Sequence, residues 1–476
     1  MKRAAMRMLD RASPWLGQLL RDVYGTLRGA RMAEVLAELQ RLRHAAAIRP
    51  QDGTALRHSL ARLAEGPRRG GIAVISVMPP AETGIATFTR ASFRHAGYPV
   101  DIYAPCFSFE DYADRLHDPA LKDSPARVFA LQALAMGRQA NDYAAEIYVL
   151  GNSDHNLPVY EALRRSRDFP PAGRLWVHVH DPGLMHLLAP VAGLRGGLAP
   201  MLRAHYADRL GGLDMARAQQ DPGLLAERGI LGVRALLDGL PIDRLLVNSA
   251  AARELLLAEM PSLRPEQVLQ LFHPVFPEAD VALTAAPRAG RPVIGSFGVP
   301  SPYKQTEVVL EAMALLRQRM PEAVLLLAGY GAGDYAQRMG LDGLPYLRVV
   351  DAPSDGALLG MMRSVDLAVQ LRSGNRGESS GVVPQLLGCG TPVVVSATGS
   401  FLEFGDAVRA VPPGITAEAL AAVMAEEIAG GADRREGIAR YVATHGPEVF
   451  CARIGAALGL GPAMPEDVPA GLGAGG

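Results

Sequence analysis

Residues Asp366 to Pro392, DLAVQLRSGNRGESSGVVPQLLGCGTP, constrain the fold more than any other stretch of this chain. Leu367-Ala368-Val369-Gln370-Leu371 is an apolar run suited to a strand covered on both faces. A polar loop, Arg372 to Gly381, follows and carries Arg372, Arg376 and Glu378. Pro384 then falls in the first turn of a short apolar helix, where its missing N–H costs no hydrogen bond. Gly388 and Gly390 close that helix, and Pro392-Val393-Val394-Val395 opens another strand. This order puts the loop at a strand's carboxyl end, where open α/β sheets bind ligands. The backbone N–H groups of Ser379, Ser380 and Gly381 fall at the helix start, a position that favours anions. Arginines on the same loop can add charge-assisted hydrogen bonds to phosphate. Glu378, a lone acid beside an anion site, suits a different group, such as a sugar hydroxyl.

The segments LR…RGESSG…GCGTPVVVS and Gly399-Ser400-Phe401-Leu402-Glu403 together resemble the donor-binding signature of glycosyltransferase family 4. That resemblance implies an α/β chain of GT-B architecture. Two Rossmann-like parallel-sheet domains would face each other across a cleft that holds the reaction. The familiar signature has two glutamates separated by seven residues. Counted back from Cys389-Gly390-Thr391-Pro392, the second becomes Gln385 here and the first falls on Gly377, beside Glu378. The GESSG form resembles a subset of the family.

A chain of 476 residues exceeds one hydrophobic core and predicts two domains plus an extension. Hydrophobic content of 49% with 20% charged residues describes a well-packed chain. A net charge of −1 argues against nucleic acid as a partner. Cys106, Cys389 and Cys451 show no CxxC spacing, which fits a reduced, cytoplasmic protein without a disulfide frame or zinc site. No apolar run reaches the ~18 residues of a membrane span.

Residues 1–70 stand apart. They hold 14 Lys and Arg against 6 Asp and Glu, a net +8 that leaves −9 for the rest. Trp15, Leu16, Leu19, Leu20, Val23 and Leu27, then Met32, Val35, Leu36, Leu39 and Leu42, recur at helical spacing. This predicts a basic amphipathic helical extension. Two uses stay open: peripheral contact with an anionic membrane surface, at its inner face, or packing on the catalytic body or a second subunit.

Residues 71–280 form the expected first, acceptor-side domain. Ile72 to Val77 suits an inner strand, and Gly84 at the following turn lets a ligand approach the backbone closely. The turn lacks GxGxxG, so no dinucleotide site is expected. Ile147 to Ser153 and Leu175 to Asp181 are further strands, the first running towards His155. The resemblance places a sugar-binding histidine at the second strand's end, matched by His180, with Asp181 orienting it. His178 shares that strand face one layer deeper. The histidine spacing lacks a metal-binding pattern. Leu245 to Ser249 is a strand whose Ser249 caps a helix through about Met260. Val268 to Phe272 is the last strand, and Asp280 to Gly290 is the linker.

Residues 290–445 form the expected nucleotide-sugar domain, followed by a crossover helix over 446–458 and a Gly/Ala/Pro-rich, disordered tail over 459–476. Pro292 to Gly298 is its first strand. Lys304, at the next helix start, opposes the helix dipole unless an anion lies there, and the resemblance assigns it the donor diphosphate. An arginine the family often carries near Val299 is absent, and Arg372 or Arg376 can substitute. Strands follow at Val324 to Gly331 and Leu347 to Asp351, then a helix over Asp355 to Arg363. Glu403 matches a family glutamate beyond the Val393–Val395 strand.

The expected activity is hexosyl transfer from a nucleoside-diphosphate sugar to an acceptor hydroxyl. The resemblance implies retention at the anomeric carbon and no metal or other cofactor. His180, Glu378 and Lys304 are the expected catalytic group. Gly84, Asp181, Arg372, Arg376, Ser379, Ser380, Gly381, Gln385 and Glu403 are the expected donor contacts. A saccharide or lipid-linked acceptor, in cell-surface polysaccharide or glycolipid assembly, follows from the resemblance alone. The alternatives are a non-catalytic nucleotide-sugar binder or scaffold, and a GT-B sugar-nucleotide epimerase.

Overall fold

The computed structural model describes residues 53–461 apart from Glu82, 221–222, 277–291, Asp342, Arg376 and 431–433. Most of the basic extension, the interdomain linker and nearly all of the C-terminal tail therefore lie outside the described residues.

Two wholly parallel sheets organise the chain. The first contains β1 (Ile72–Ile75), β2 (Val100–Ala104), β3 (Ala126–Ala130), β4 (Ala145–Leu150), β5 (Arg174–Val179), β6 (Arg244–Val247) and β7 (Val268–Gln270). Their order is β3-β2-β1-β4-β5-β6-β7. The second contains β8 (Val293–Phe297), β9 (Val324–Gly329), β10 (Leu347–Asp351), β11 (Leu367–Gln370), β12 (Val393–Ser396) and β13 (Arg409–Val411). Its order is β10-β9-β8-β11-β12-β13. In both, the order reverses beside the first strand, which opens a crevice at the carboxyl ends.

Burial explains why these runs are strands. Every residue of β1, β2, β4, β9, β11 and β12 is buried, as parallel strands between helical layers require. Buried charge in the first sheet is paired along the register. Asp101 stands opposite Arg127, accepts its Nη2 at 2.7 Å, and accepts the Tyr143 hydroxyl at 2.6 Å. β3 and β13 are strands that the apolar pattern does not announce: β3 is five residues interrupted by Arg127, and β13 is three residues long.

Two helices bear on domain organisation. Gly53–Glu65 buries Ala55, Ser59 and Leu63 and ties itself to β3. Arg62 donates to the Val128 carbonyl at 2.7 Å, and Ser59 Oγ accepts the Ala130 amide at 2.9 Å. This part of the basic extension packs on the first domain. Pro447–Leu458 returns from the second domain and inserts Phe450, Cys451 and Ile454 into the first core. The Tyr98 hydroxyl donates to the Cys451 carbonyl at 2.9 Å. Beside this return, the Val275 amide donates to the His445 carbonyl at 2.8 Å.

Candidate active site

The second-domain side begins at the ends of β8 and β11. Gly298 has φ +94, and a Cβ there would lie 2.5 Å from Lys304 Nζ, so glycine makes room for the ammonium. Lys304 ends a one-turn 3₁₀ segment, Pro302–Lys304, capped by the Ser301 hydroxyl. Burial, and then the Arg372 charge, lower its pKa to about 8 against the opposing pull of Glu378. The Arg372 amide donates to Ser396 Oγ at 2.9 Å. Its guanidinium lies over the rings of Phe401 and Tyr303, 5.0 and 5.6 Å from their centroids, and pairs with Glu378. Among the described residues of the anion loop and the Lys304 turn, two cations thus face the single carboxylate of Glu378. That imbalance favours an anion.

The loop after Arg372 is shaped by close approach to the first domain. Asn375 Oδ1 accepts the Gly377 amide at 2.8 Å. Gly377 has φ +75, and a Cβ would meet Pro182 Cγ at 2.6 Å and Leu255 Cδ1 at 2.7 Å. No side chain fits there, so Glu378 alone provides an acid on this part of the loop. The Ser400 hydroxyl donates to the Glu378 carbonyl at 2.9 Å. Ser380 Oγ accepts the Val383 amide at 3.2 Å at the start of helix Val382–Gly388. Ser379 is buried with no partner for its hydroxyl. Gln385 is half-buried on the same helix. Arg376 lies outside the described residues.

Glu403 faces the first domain. Its carboxylate accepts the Ala250 amide at 2.8 Å and Gln270 Nε2 at 3.5 Å, at the start of helix Ala250–Glu259. Burial raises its pKa to about 7, against the pull of the Ala250 and Ala251 amides.

On the first-domain side, Gly84 is exposed at the start of helix Gly84–Phe93, whose cap is the Thr83 hydroxyl. Nothing lies within 4 Å of a Cβ placed on Gly84, so a ligand can approach its backbone. Thr87 on this helix donates to Asp355 of the second domain at 3.2 Å. His180 follows β5, its amide bonded to the Leu150 carbonyl at 2.8 Å. Its side chain is 8% exposed, and Nδ1 lies 3.5 Å from Asp181 Oδ2. Neither ring nitrogen meets hydrogen-bond geometry with a protein group. Burial would raise the Asp181 pKa, yet His180, His273 and Arg372 hold it below its ordinary value. His178 is buried and bonds Asn248 Oδ1 through Nε2 at 2.8 Å; burial, then His180, pushes its pKa to about 3. His155 is exposed, with Nδ1 3.0 Å from Ser153 Oγ.

Asn248 and His273 enter the site without a sequence motif to mark them. The His273 ring lies 5.4 Å from that of His180 and 5.5 Å from that of Phe88. Its Nε2 is 3.9 Å from a Cβ placed on Gly381. It therefore stands between the first-domain histidine and the anion loop. The available sequence signal was position, since His273 and Asn248 follow the ends of β7 and β6 much as His180 follows β5. Among the described residues, no group of three or more His, Cys, Asp or Glu is arranged to hold a metal ion.

Residues 291–429 match the family model described as Glycosyl transferases group 1. A phosphatidyl-myo-inositol mannosyltransferase of Mycobacterium tuberculosis is 32% identical over 146 residues, 29% of this chain and 38% of that protein. The Mycolicibacterium smegmatis protein of the same name is 34% identical over 134 residues, 27% of this chain and 34% of its own. The chain thus spans little more than a third of these curated relatives' length. The crystal structure of Anabaena Alr3699/HepE in complex with UDP and glucose has a TM-score of 0.51 and 16% identity, covering 82% of this chain and 100% of that one. Sucrose-phosphate synthase from Thermosynechococcus elongatus has a TM-score of 0.52 and 18% identity, covering 82% and 98%. The two parallel-sheet domains have the GT-B fold, and the second carries the sequence similarity to glycosyl transferases group 1.

Proposed function

We propose that this chain is a glycosyltransferase that moves a hexosyl group from a nucleoside-diphosphate sugar to an acceptor hydroxyl with retention. The carrying observation is the unbalanced charge of Lys304 and Arg372 against Glu378, facing a buried histidine whose Nε2 has no protein partner. Lys304, Arg372 and the Ser379–Gly381 amides stabilise charge growing on the departing diphosphate. His180, oriented by Asp181, and Glu378 position the sugar. No step in this scheme calls on a metal ion or another cofactor.

The similarity to phosphatidyl-myo-inositol mannosyltransferases supports a lipid-linked acceptor and a role in glycolipid or cell-surface polysaccharide assembly. Residues 1–52, basic in sequence, add contact with the inner face of a membrane to a cytoplasmic protein. A chain begun at residue 53 should no longer sediment with anionic vesicles; sedimentation that persists disproves this contact.

The test of the activity is a thermal-shift screen with UDP, GDP, ADP and dTDP and their sugar conjugates, followed by a transfer assay. A ligand at ~100 times its dissociation constant adds ~2.7 kcal/mol. One nucleotide should stand out, and Lys304→Ala should abolish its shift. Binding without donor hydrolysis or transfer would favour a non-catalytic binder, and no binding removes the reading.

A further inference from the structure

The two domains enclose a cavity of ≈ 30 Å³ beneath the anion loop, lined by Asn248, His273, Ser379, Ser400, Glu403 and His445 among others. A hydroxyl or water needs roughly 10–15 Å³ of such space, so the cavity admits one or two groups of that size.

Three of these side chains already have partners. Glu403 accepts from Ala250 and Gln270, and Ser400 donates to the Glu378 carbonyl. His445 stacks on Tyr441 at 3.8 Å, with Nδ1 3.1 Å from the Tyr441 carbonyl.

The other three are unspent. Asn248 is 4% exposed. Its Oδ1 takes the Nε2–H of a neutral His178, so the amide is oriented with Nδ2 free, and Nδ2 has no partner. Ser379 is 9% exposed, and its hydroxyl has none either. Burial pushes the His273 pKa to about 3, so this ring is neutral as well. Its Nδ1 lies 3.0 Å from the Pro274 carbonyl and must be the donor in that bond, which leaves the lone pair on Nε2.

A buried donor, a half-buried acceptor and a buried hydroxyl around so small a space complement a group that both donates and accepts. A phosphate oxygen fits badly, because the Nε2 lone pair and the Glu403 carboxylate repel it. We propose that this cavity is a subsite for one hydroxyl of the transferred sugar, which accepts from Asn248 Nδ2 and donates to His273 Nε2. Ser379 completes the set from the anion loop. The proposal rests on the reading of the chain as a nucleotide-sugar enzyme, and it makes His273 a specificity-determining residue.

The test uses the full chain with UDP-glucose, GDP-mannose, their singly deoxygenated analogues, and bare UDP and GDP, all by calorimetry. In the wild type, removal of one particular hydroxyl should weaken binding about tenfold or more relative to the parent sugar nucleotide. In His273→Phe, which keeps a ring against Phe88, that discrimination should fall below about twofold, with bare-nucleotide affinity unchanged. Ser379→Ala, a milder change, should reduce it in the same direction. Discrimination that survives in both variants overturns the proposal. So does a wild type indifferent to every deoxygenation, since the cavity would then hold only water. If no nucleotide binds the wild type, the enzyme reading falls and the subsite falls with it.

Discussion

The Glu403 carboxylate of the second domain accepts a 2.8 Å hydrogen bond from the Ala250 amide at the start of a first-domain helix. This bond caps a helix and joins the domains. Glu403→Ala should therefore cost about 1 kcal/mol, the usual loss on removing a cap, while Glu403→Gln retains an acceptor. Urea denaturation of both variants checks this.

Glu403 also gives the stability a pH dependence. Its folded pKa, about 7, lies above the ordinary 4.5. Between those values the folded chain keeps a proton that the unfolded chain has released. Stability from this group is fully present below pH 4.5 and is lost as pH rises through 7. Glu403→Gln lacks this dependence, so its stability relative to wild type should improve from pH 5 to pH 8. A constant difference across that range would refute the assignment.

Lys304 gives binding a pH dependence of its own. With a pKa of about 8, its ammonium is charged at neutral pH and lost above. Nucleoside-diphosphate affinity should fall as pH rises through 8, by up to about tenfold per unit. Lys304→Met should bind weakly and show a flat profile between pH 7.5 and 9.5. Calorimetry at several pH values provides the measurement.

The Arg372–Glu378 pair predicts a split between binding and turnover. An incoming diphosphate competes with the Glu378 carboxylate for the guanidinium. Glu378→Gln should tighten bare-nucleotide binding several-fold and slow sugar transfer by about a hundredfold, as expected when a reacting group loses its positioning. If binding and transfer both weaken, Glu378 is not a competitor for Arg372.

Gly377→Ala places a methyl group within 2.7 Å of Pro182 and Leu255, at a residue with φ +75. It should destabilise the chain by ~1–3 kcal/mol. The loop that carries Glu378 should also become easier to cleave by protease.

Local pattern carried much of the architecture. β10 spans Leu347–Asp351, the bounds expected for it, and the Ser249 cap was visible as a serine between a strand and a helix. The GT-B fold was legible through the resemblance carried by the GESSG and GCGTP segments, while continuous apolar strands alternating with helices marked the parallel sheets. β3 was not, because its buried pattern depends on Arg127 meeting Asp101 on a neighbouring strand. A candidate residue's place was legible where it follows from its own strand end, as at His180. Where the place depends on a distant partner, it was hidden. Glu403 stands 153 residues from Ala250, and Asn248 stands 70 from His178. No spacing rule reveals that Gly377 has its space taken by Pro182.

The return of helix Pro447–Leu458 to the first core has a mechanical consequence. The polypeptide passes between the domains twice, and Val275, ahead of the first crossing, donates to the carbonyl of His445, ahead of the second. A single tether would let one domain swivel like a ball joint. A bond between residues flanking the two crossings restricts that swivel, as paired hinges restrict a door. Any opening of the cleft under that restraint would move Lys304, Arg372 and Glu378 together relative to His180, so that closure returns the same atoms to one another.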